Sequence, residues 1–318
     1  MIVPVMLNIE LPAEQYTKQN SKAAFNRLRE HLHQYCVLLK GSSNDPQQML
    51  KVLREHCDPA IGEIIKHISE EIPIWEGQLH TSDGNQAAKI LACVSASAAH
   101  HDDASETILW QDIDAAHAIE TIKTQRKITR LSINAQRNTI WDTYFRPIYA
   151  LVPINRIEII DRYLLTNVIT NQSNQLNEYL DLLSATHTTT TKQKSLIIYS
   201  SKNNIELSGI QDYFENELVP KCQQLAGIAK VCLYVCSNYD FSTHYHDRYI
   251  ISTMKDRIFY VHNLGIGLEI LANEQLTKSQ ECSLTVHTPH TVHQYRSMLN
   301  HLEERRERKF EEYVGASR

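Results

Sequence analysis

Three short apolar runs set the class of fold open to this chain. Residues 157–163, 195–200 and 229–237 are dense in Ile, Leu, Val and Tyr, and each has the length of a strand rather than of a buried helix. Helical segments separate them. Leu176, Tyr179, Leu180 and Leu183 recur at helical intervals within 174–184, and 210–225 reads as a second helix. Strands alternating with helices of that length predict βαβ units and an α/β fold with a mixed, mostly parallel sheet flanked by helices. Two more strands are expected at 248–252 and 257–261. A glycine turn (Asn263-Leu264-Gly265-Ile266-Gly267), a late strand at 283–288 and a charged helix over 290–313 follow. An aromatic-rich helix is expected at 141–149.

The first 125 residues form a separate, smaller α/β or mainly helical domain, of a role the sequence leaves open. The expected domains are therefore 1–125 and 126–318. A strand opens the first (2–9), then a helix (21–34) and a short strand (35–39). Asn44-Asp45-Pro46 is a helix start, with proline in the first turn, and Met49, Leu50 and Leu53 support it. Ile61, Ile64, Ile65 and Ile68 predict a helix over 60–69. Residues 85–98 read as helical or buried, His100-His101-Asp102-Asp103 as a solvated break, and 115–130 as a polar helix. A metal-dependent nuclease would gather carboxylates at strand ends. Glu10, Asp45, Asp83 and Asp112 are available, but they form no spaced motif.

Bulk properties exclude some functions. With 37 acidic against 32 basic side chains the formal net charge is -5, which argues against a globally basic nucleic-acid binder. No apolar run approaches the ~20 residues of a membrane-spanning helix. The N-terminus lacks the basic region of a signal peptide and reads as a strand. The seven cysteines are scattered, and Cys36, Cys93, Cys232 and Cys236 lie in apolar stretches. That suits reduced thiols and a cytoplasmic location. Cys232 and Cys236 lie four apart on one strand face, but a zinc site would need two more ligands at suitable spacing, and the cofactor is left open.

Chemistry concentrates at two strand edges. Asp161-Arg162-Tyr163 closes one apolar run, and Asp247-Arg248-Tyr249 opens another, directly after His244 and His246. The bland account is a fold-stabilising ion pair, Asp161 with Arg248 or Asp247 with Arg162. A second account makes His244, His246 and Asp247 metal ligands, because alternate strand positions put both imidazoles on one face. A third is an anion site, since an arginine grips phosphate bidentately. Ser200-Ser201-Lys202 leaves a strand toward the same edge. Gly265-x-Gly267 lacks the remainder of a phosphate loop, and a turn needing positive φ explains it as well. Glu303-Glu304-Arg305-Arg306-Glu307-Arg308-Lys309 mixes signs at i,i+4 and reads as a solvated helix face.

Taken in order, Asp161-Arg162-Tyr163, His246-Asp247-Arg248 and Gly265-Ile266-Gly267-Leu268 resemble the phospholipase D-like superfamily. The nearest likeness is to the domain at the C-terminus of MIT-domain proteins and to its bacterial relatives. The resemblance covers about residues 140–290. It implies phosphodiester chemistry: His246 as nucleophile or general acid, Asp161 or Asp247 orienting it, and Arg248 and Arg162 on phosphate oxygens, with His244, Gly265 and Gly267 nearby. Where active members carry His-x-Lys and a later acid, this chain has Arg248 and Thr253. Phosphate binding survives that change, whereas a tuned histidine nucleophile does not follow from it. Only one such motif is visible, so two-histidine chemistry needs a dimer or a different partner such as His244 or Asp161. The resemblance thus implies a phosphodiesterase or nuclease in a bacterial defence-type setting, acting on nucleic acid or another phosphodiester. The alternative is a non-catalytic, dimerising module whose cleft recognises a phosphorylated ligand or a partner protein.

Overall fold

The computed structural model describes residues 3–8, 22–39, 45–55, 57–72, 74–75, 92–95, 106–109, 129–152, 154–186, 194–225, 227–244, 248–254, 257–277, 282–287 and 293–314. They divide into two compact units. The first is Met1–Gln125 with Asp142–Pro153, and the second is Arg126–Trp141 with Ile154–Arg318.

The first unit is built on a five-stranded parallel sheet: β1 (Val3–Asn8), β2 (Cys36–Leu39), β3 (Ile74–Trp75), β4 (Ala92–Ser95) and β5 (Glu106–Leu109), in the order β3-β2-β1-β4-β5. Helices α1 (Lys22–Tyr35), α2 (Pro46–Glu55) and α3 (Pro59–Glu71) form the crossovers. Local chemistry starts two of them, α2 where the sequence suggests. Asp45 Oδ1 accepts from the Gln47 amide at 3.0 Å ahead of α2. Asp58 Oδ1 accepts from the Ala60 amide at 2.8 Å ahead of α3, with Pro59 in the first turn. Ile61, Ile64, Ile65 and Ile68 of α3 are all buried. Residues 92–95, expected to be helical or buried, are a strand: Cys93 and Val94 pair with both β1 and β5. Strand β5 was not anticipated, since Glu106-Thr107-Ile108-Leu109 is too short to show a period. The expected polar helix over 115–130 falls outside the described residues except at its end, where Thr129–Leu131 is a strand. The chain order reverses between β1 and β4. Doubly wound sheets receive ligands at such a reversal, beyond the carboxyl ends of the strands. Residues 9–21 and 96–105, which follow those two strands, lie outside the described residues.

The second unit is α/β with a mixed sheet of eight strands in the order β13-β9-β8-β7-β10-β11-β12-β6. Its strands are β6 (Thr129–Leu131), β7 (Arg156–Ile160), β8 (Lys194–Ser201), β9 (Ile228–Cys236), β10 (Tyr249–Met254), β11 (Arg257–Asn263), β12 (Cys282–His287) and β13 (Arg308–Tyr313). The expectation of a mostly parallel sheet is corrected. Only β7–β8 and β8–β9 pair in parallel, and the other five pairings are antiparallel. Crossover length accounts for part of this. Helix α4 (Gln175–Thr186) and the helical stretch α5 (207–223) are long enough to return the chain in parallel. Only residues 255–256 separate β10 from β11, which permits only an antiparallel neighbour there, while the longer segments before β12 and β13 also bring those strands back antiparallel.

The charged C-terminal segment is also corrected. Helix α7 (His293–Glu304) stops early, and Arg308–Tyr313 becomes edge strand β13 on β9. Alternation allows it: Phe310 packs its ring 5.6 Å from that of Phe214. On the opposite face Glu311 bridges Lys230 and Lys309. Charge along such an edge discourages pairing with another chain.

Packing holds this unit on both faces. Leu176, Tyr179, Leu180 and Leu183 of α4 are buried as their spacing requires, and Trp141 meets Tyr179 edge-on at 5.9 Å. The other face covers Ile160, Tyr199 and Tyr234 with Tyr295, Met298, Leu299 and Leu302. Each such aliphatic side chain contributes about 1.5–3 kcal/mol by leaving water.

Glu158 interrupts this core. It lies at the middle of β7, 1% exposed, with Oε1 3.4 Å from Arg156 Nε and Oε2 accepting from Thr253 Oγ1 at 3.3 Å. Burial pushes its carboxyl up to about 7, against the pull of Arg156 and Thr253. The folded protein therefore keeps this proton where the unfolded chain has lost it, so stability falls as pH rises from about 4.5 to 7. The full span is about 3 kcal/mol. Glu158→Gln should remove that dependence and raise stability at pH 8, measured by urea unfolding at pH 5 and pH 8. An unchanged difference between the two pH values would exclude Glu158 as its source.

Candidate functional site

Strand β7 ends at Ile160, and the next residue starts the site. The antiparallel register pairs Tyr249 of β10 with Ile160 of β7. One step further along both strands, Arg248 stands beside Asp161, and Arg248 Nε lies 3.4 Å from Asp161 Oδ1. The pairing of two strands thus aims a cation at an acid by register alone.

Asp161 is 2% exposed. Its backbone N–H continues the β8 ladder by donating to Tyr199 O at 3.1 Å. Its Oδ1 also accepts from the Tyr163 amide at 2.9 Å, an Asx-type turn that ends the strand and turns Arg162 outward. Oδ2 is walled in by Gly267. A Cβ there would lie 2.4 Å from Oδ2 and 2.7 Å from Arg248 Cδ, and φ is +82°. Only glycine fits both the space and the dihedral. Burial pushes the Asp161 carboxyl up to about 6. Arg248 and the Tyr163 and Leu268 amides oppose that rise, and Glu269 adds to it.

Two guanidinium groups share one aromatic ring. The Arg248 carbon lies 5.1 Å and the Arg162 carbon 5.3 Å from the Tyr163 centroid, within cation–π range. Tyr163 is 40% exposed, and Arg248 retains 17% of its side-chain surface. Behind them, Ser200 Oγ accepts from the Leu165 amide at 3.2 Å and donates to Arg162 O at 3.4 Å, while the Ser201 amide donates to Arg162 O at 3.3 Å. The serines therefore brace the turn. Lys202 pairs with Glu307 at 2.6 Å.

Of the residues singled out from the sequence, Asp161, Arg162, Arg248 and Gly267 come together. Gly265, with φ +59°, is exposed on the same turn, its amide donating to Asn263 Oδ1 at 3.2 Å. His246 and Asp247 lie outside the described residues. His244 is corrected: it ends helix α6 (Asn238–His244) rather than standing on a strand, so the alternate-strand argument for a His244–His246 metal pair is lost. Among the described residues no group of three His, Cys, Asp or Glu side chains is placed to hold a metal. No described helix is long and apolar enough to cross a membrane.

Two residues escaped the sequence reading. Glu269 accepts from Asn167 Nδ2 at 3.1 Å and acts electrostatically on Asp161. Neither belongs to a motif. Their signal lies only in position, one following the Asp161 turn and the other the Gly267 turn. No protein-family model matches the chain, and neither does any curated protein or solved structure.

Gly267→Ala should destabilise the protein by more than the ~1–2 kcal/mol of a left-handed backbone alone, since the new methyl also meets Asp161. Gly265→Ala, on the exposed part of the turn, is the control. Comparable urea midpoints for the two variants would show that the Gly267–Asp161 contact is not tight.

Proposed function

We propose that this edge of the second sheet binds the phosphate group of a ligand on a phospholipase D-like frame, and that it recognises rather than cleaves. The observation that carries the proposal is how Arg248 is held. Asp161 takes its Nε side, and Tyr163 lies under the guanidinium. Among the described residues no acceptor takes its terminal amino groups. These are the donors that grip an oxyanion bidentately. Arg162, against the same ring, adds a second positive charge to this edge.

Asp161 in this proposal is a positioning residue. It is sealed by Gly267 and reaches a ligand only through Arg248. A general base must contact the proton that it takes, and this carboxylate faces the protein interior. The same seal keeps the ion pair from water, where it would be weaker.

The test is calorimetric titration of the full chain with inorganic phosphate and with a short oligonucleotide. Wild type should bind both, and Arg248→Ala should lose about tenfold or more. Arg248→Lys should not recover the loss, because a point ammonium cannot serve Asp161 and grip an oxyanion at once. His246→Ala should bind as wild type does. Equal phosphate affinity in wild type and Arg248→Ala would sink the proposal. Turnover of a phosphodiester by wild type, abolished in His246→Ala, would replace recognition with hydrolysis.

A further inference from the structure

The turn that seats Gly267 also walls a cavity. Ile266 and Glu269, close neighbours of Gly267 in chain order, line a space of about 190 Å³. Ser173, Asn273 and Gln275 contribute polar groups, and Leu276 an apolar one. We propose that this cavity takes the hydroxyl-bearing ring of a sugar phosphate whose phosphate rests on Arg248 and Arg162. The inference rests on the phosphate reading of that edge and names the remainder of the ligand.

Three observations support it. The first is continuity. Gly267 packs on Arg248 Cδ and Asp161 Oδ2, while Ile266 and Glu269 flank it within the same tight turn, Gly267–Leu271. The same turn thus touches both Arg248 and the cavity. The second is chemistry. Glu269 is an acceptor, with Oε1 fixed by Asn167 Nδ2 at 3.1 Å, and it suits a hydroxyl donor. The Ser173 hydroxyl and the Asn273 and Gln275 amides both donate and accept, as sugar hydroxyls do. Ile266 and Leu276 offer apolar surface to the C–H face of a ring. The third is size. At about 190 Å³ the space is below the ~300–1,000 Å³ of pockets that enclose larger ligands, so it admits one ring and no long acyl chain. The negative Glu269 also disfavours a second phosphate there.

Calorimetry with the full chain and four probes, inorganic phosphate, ribose 5-phosphate, AMP and ribose, tests this. Ribose 5-phosphate should bind about tenfold tighter than inorganic phosphate, the worth of one or two added hydrogen bonds. Ribose alone should bind weakly. Ala272→Leu, which fills the cavity, should erase the advantage while inorganic phosphate binds as before. Asn273→Ala should reduce the advantage without weakening inorganic phosphate. AMP binding more tightly than ribose 5-phosphate would identify a nucleotide as the source of the same sugar phosphate, and equal binding a free one. If inorganic phosphate binds and ribose 5-phosphate gains nothing, or if both variants keep the gain, the sugar subsite is wrong and the phosphate site stands. If no phosphate probe binds, the arginine site fails and the subsite with it.

Discussion

The Asp161–Arg248 pair organises the second unit's edge because one carboxylate does two structural jobs. Its Oδ1 accepts the Tyr163 amide, which ends β7 and directs Arg162 outward, and the same oxygen faces Arg248 Nε from the neighbouring strand. A carboxylate 2% exposed carries a desolvation cost of several kcal/mol unless it is compensated. Here the compensation comes from the Arg248 guanidinium and from the Tyr163 and Leu268 backbone amides. Removing the acid would free Arg248 and also loosen the turn that carries Arg162. Removing the arginine would leave a buried acid unpaired. The two arginines are therefore coupled through a single buried carboxylate.

Much of this was legible in order and alternation. The apolar runs located β7, β8, β9 and β10 to within a few residues, because a strand buried on both faces has little else it can be. The Asp-Arg-Tyr triplets marked the two strand ends that meet, and the Asp161–Arg248 ion pair was one of the two pairings that the charges allowed. Strand direction was not legible. Direction depends on the length and route of connections, and the long segments before β12 and β13 carry no signal that excludes a parallel neighbour. The tail misled for a related reason. Glu303–Lys309 satisfies helical charge pairing, yet β9 offered a free side, and Phe310, Glu311 and the lysines beside it alternate well enough to fill it. His244 departs from its expected strand position because the chain closes a short helix before β10 begins. Glu269 and Asn167 were invisible, since a pair 102 residues apart leaves no local trace.

Strand β7 carries a second buried acid, and the contrast between the two isolates what makes one of them part of a site. Glu158 and Asp161 are an odd number of residues apart, so they leave the strand on opposite faces. Both have carboxyls pushed up by burial, and both face an arginine at 3.4 Å. By titration and by ion pairing they are alike. They differ in what lies beyond the arginine. Arg156 belongs to the same strand as Glu158, and that pair is surrounded by Thr253 and the helix that closes the core, with no aromatic ring under the guanidinium among the described residues. Arg248 comes from a different strand, leans on a half-exposed tyrosine, and meets a second cation over the same ring. A perturbed acid alone therefore marks burial. A perturbed acid that orients a cation beside another cation, with a glycine that no larger residue can replace, is the arrangement on which the proposed anion site rests.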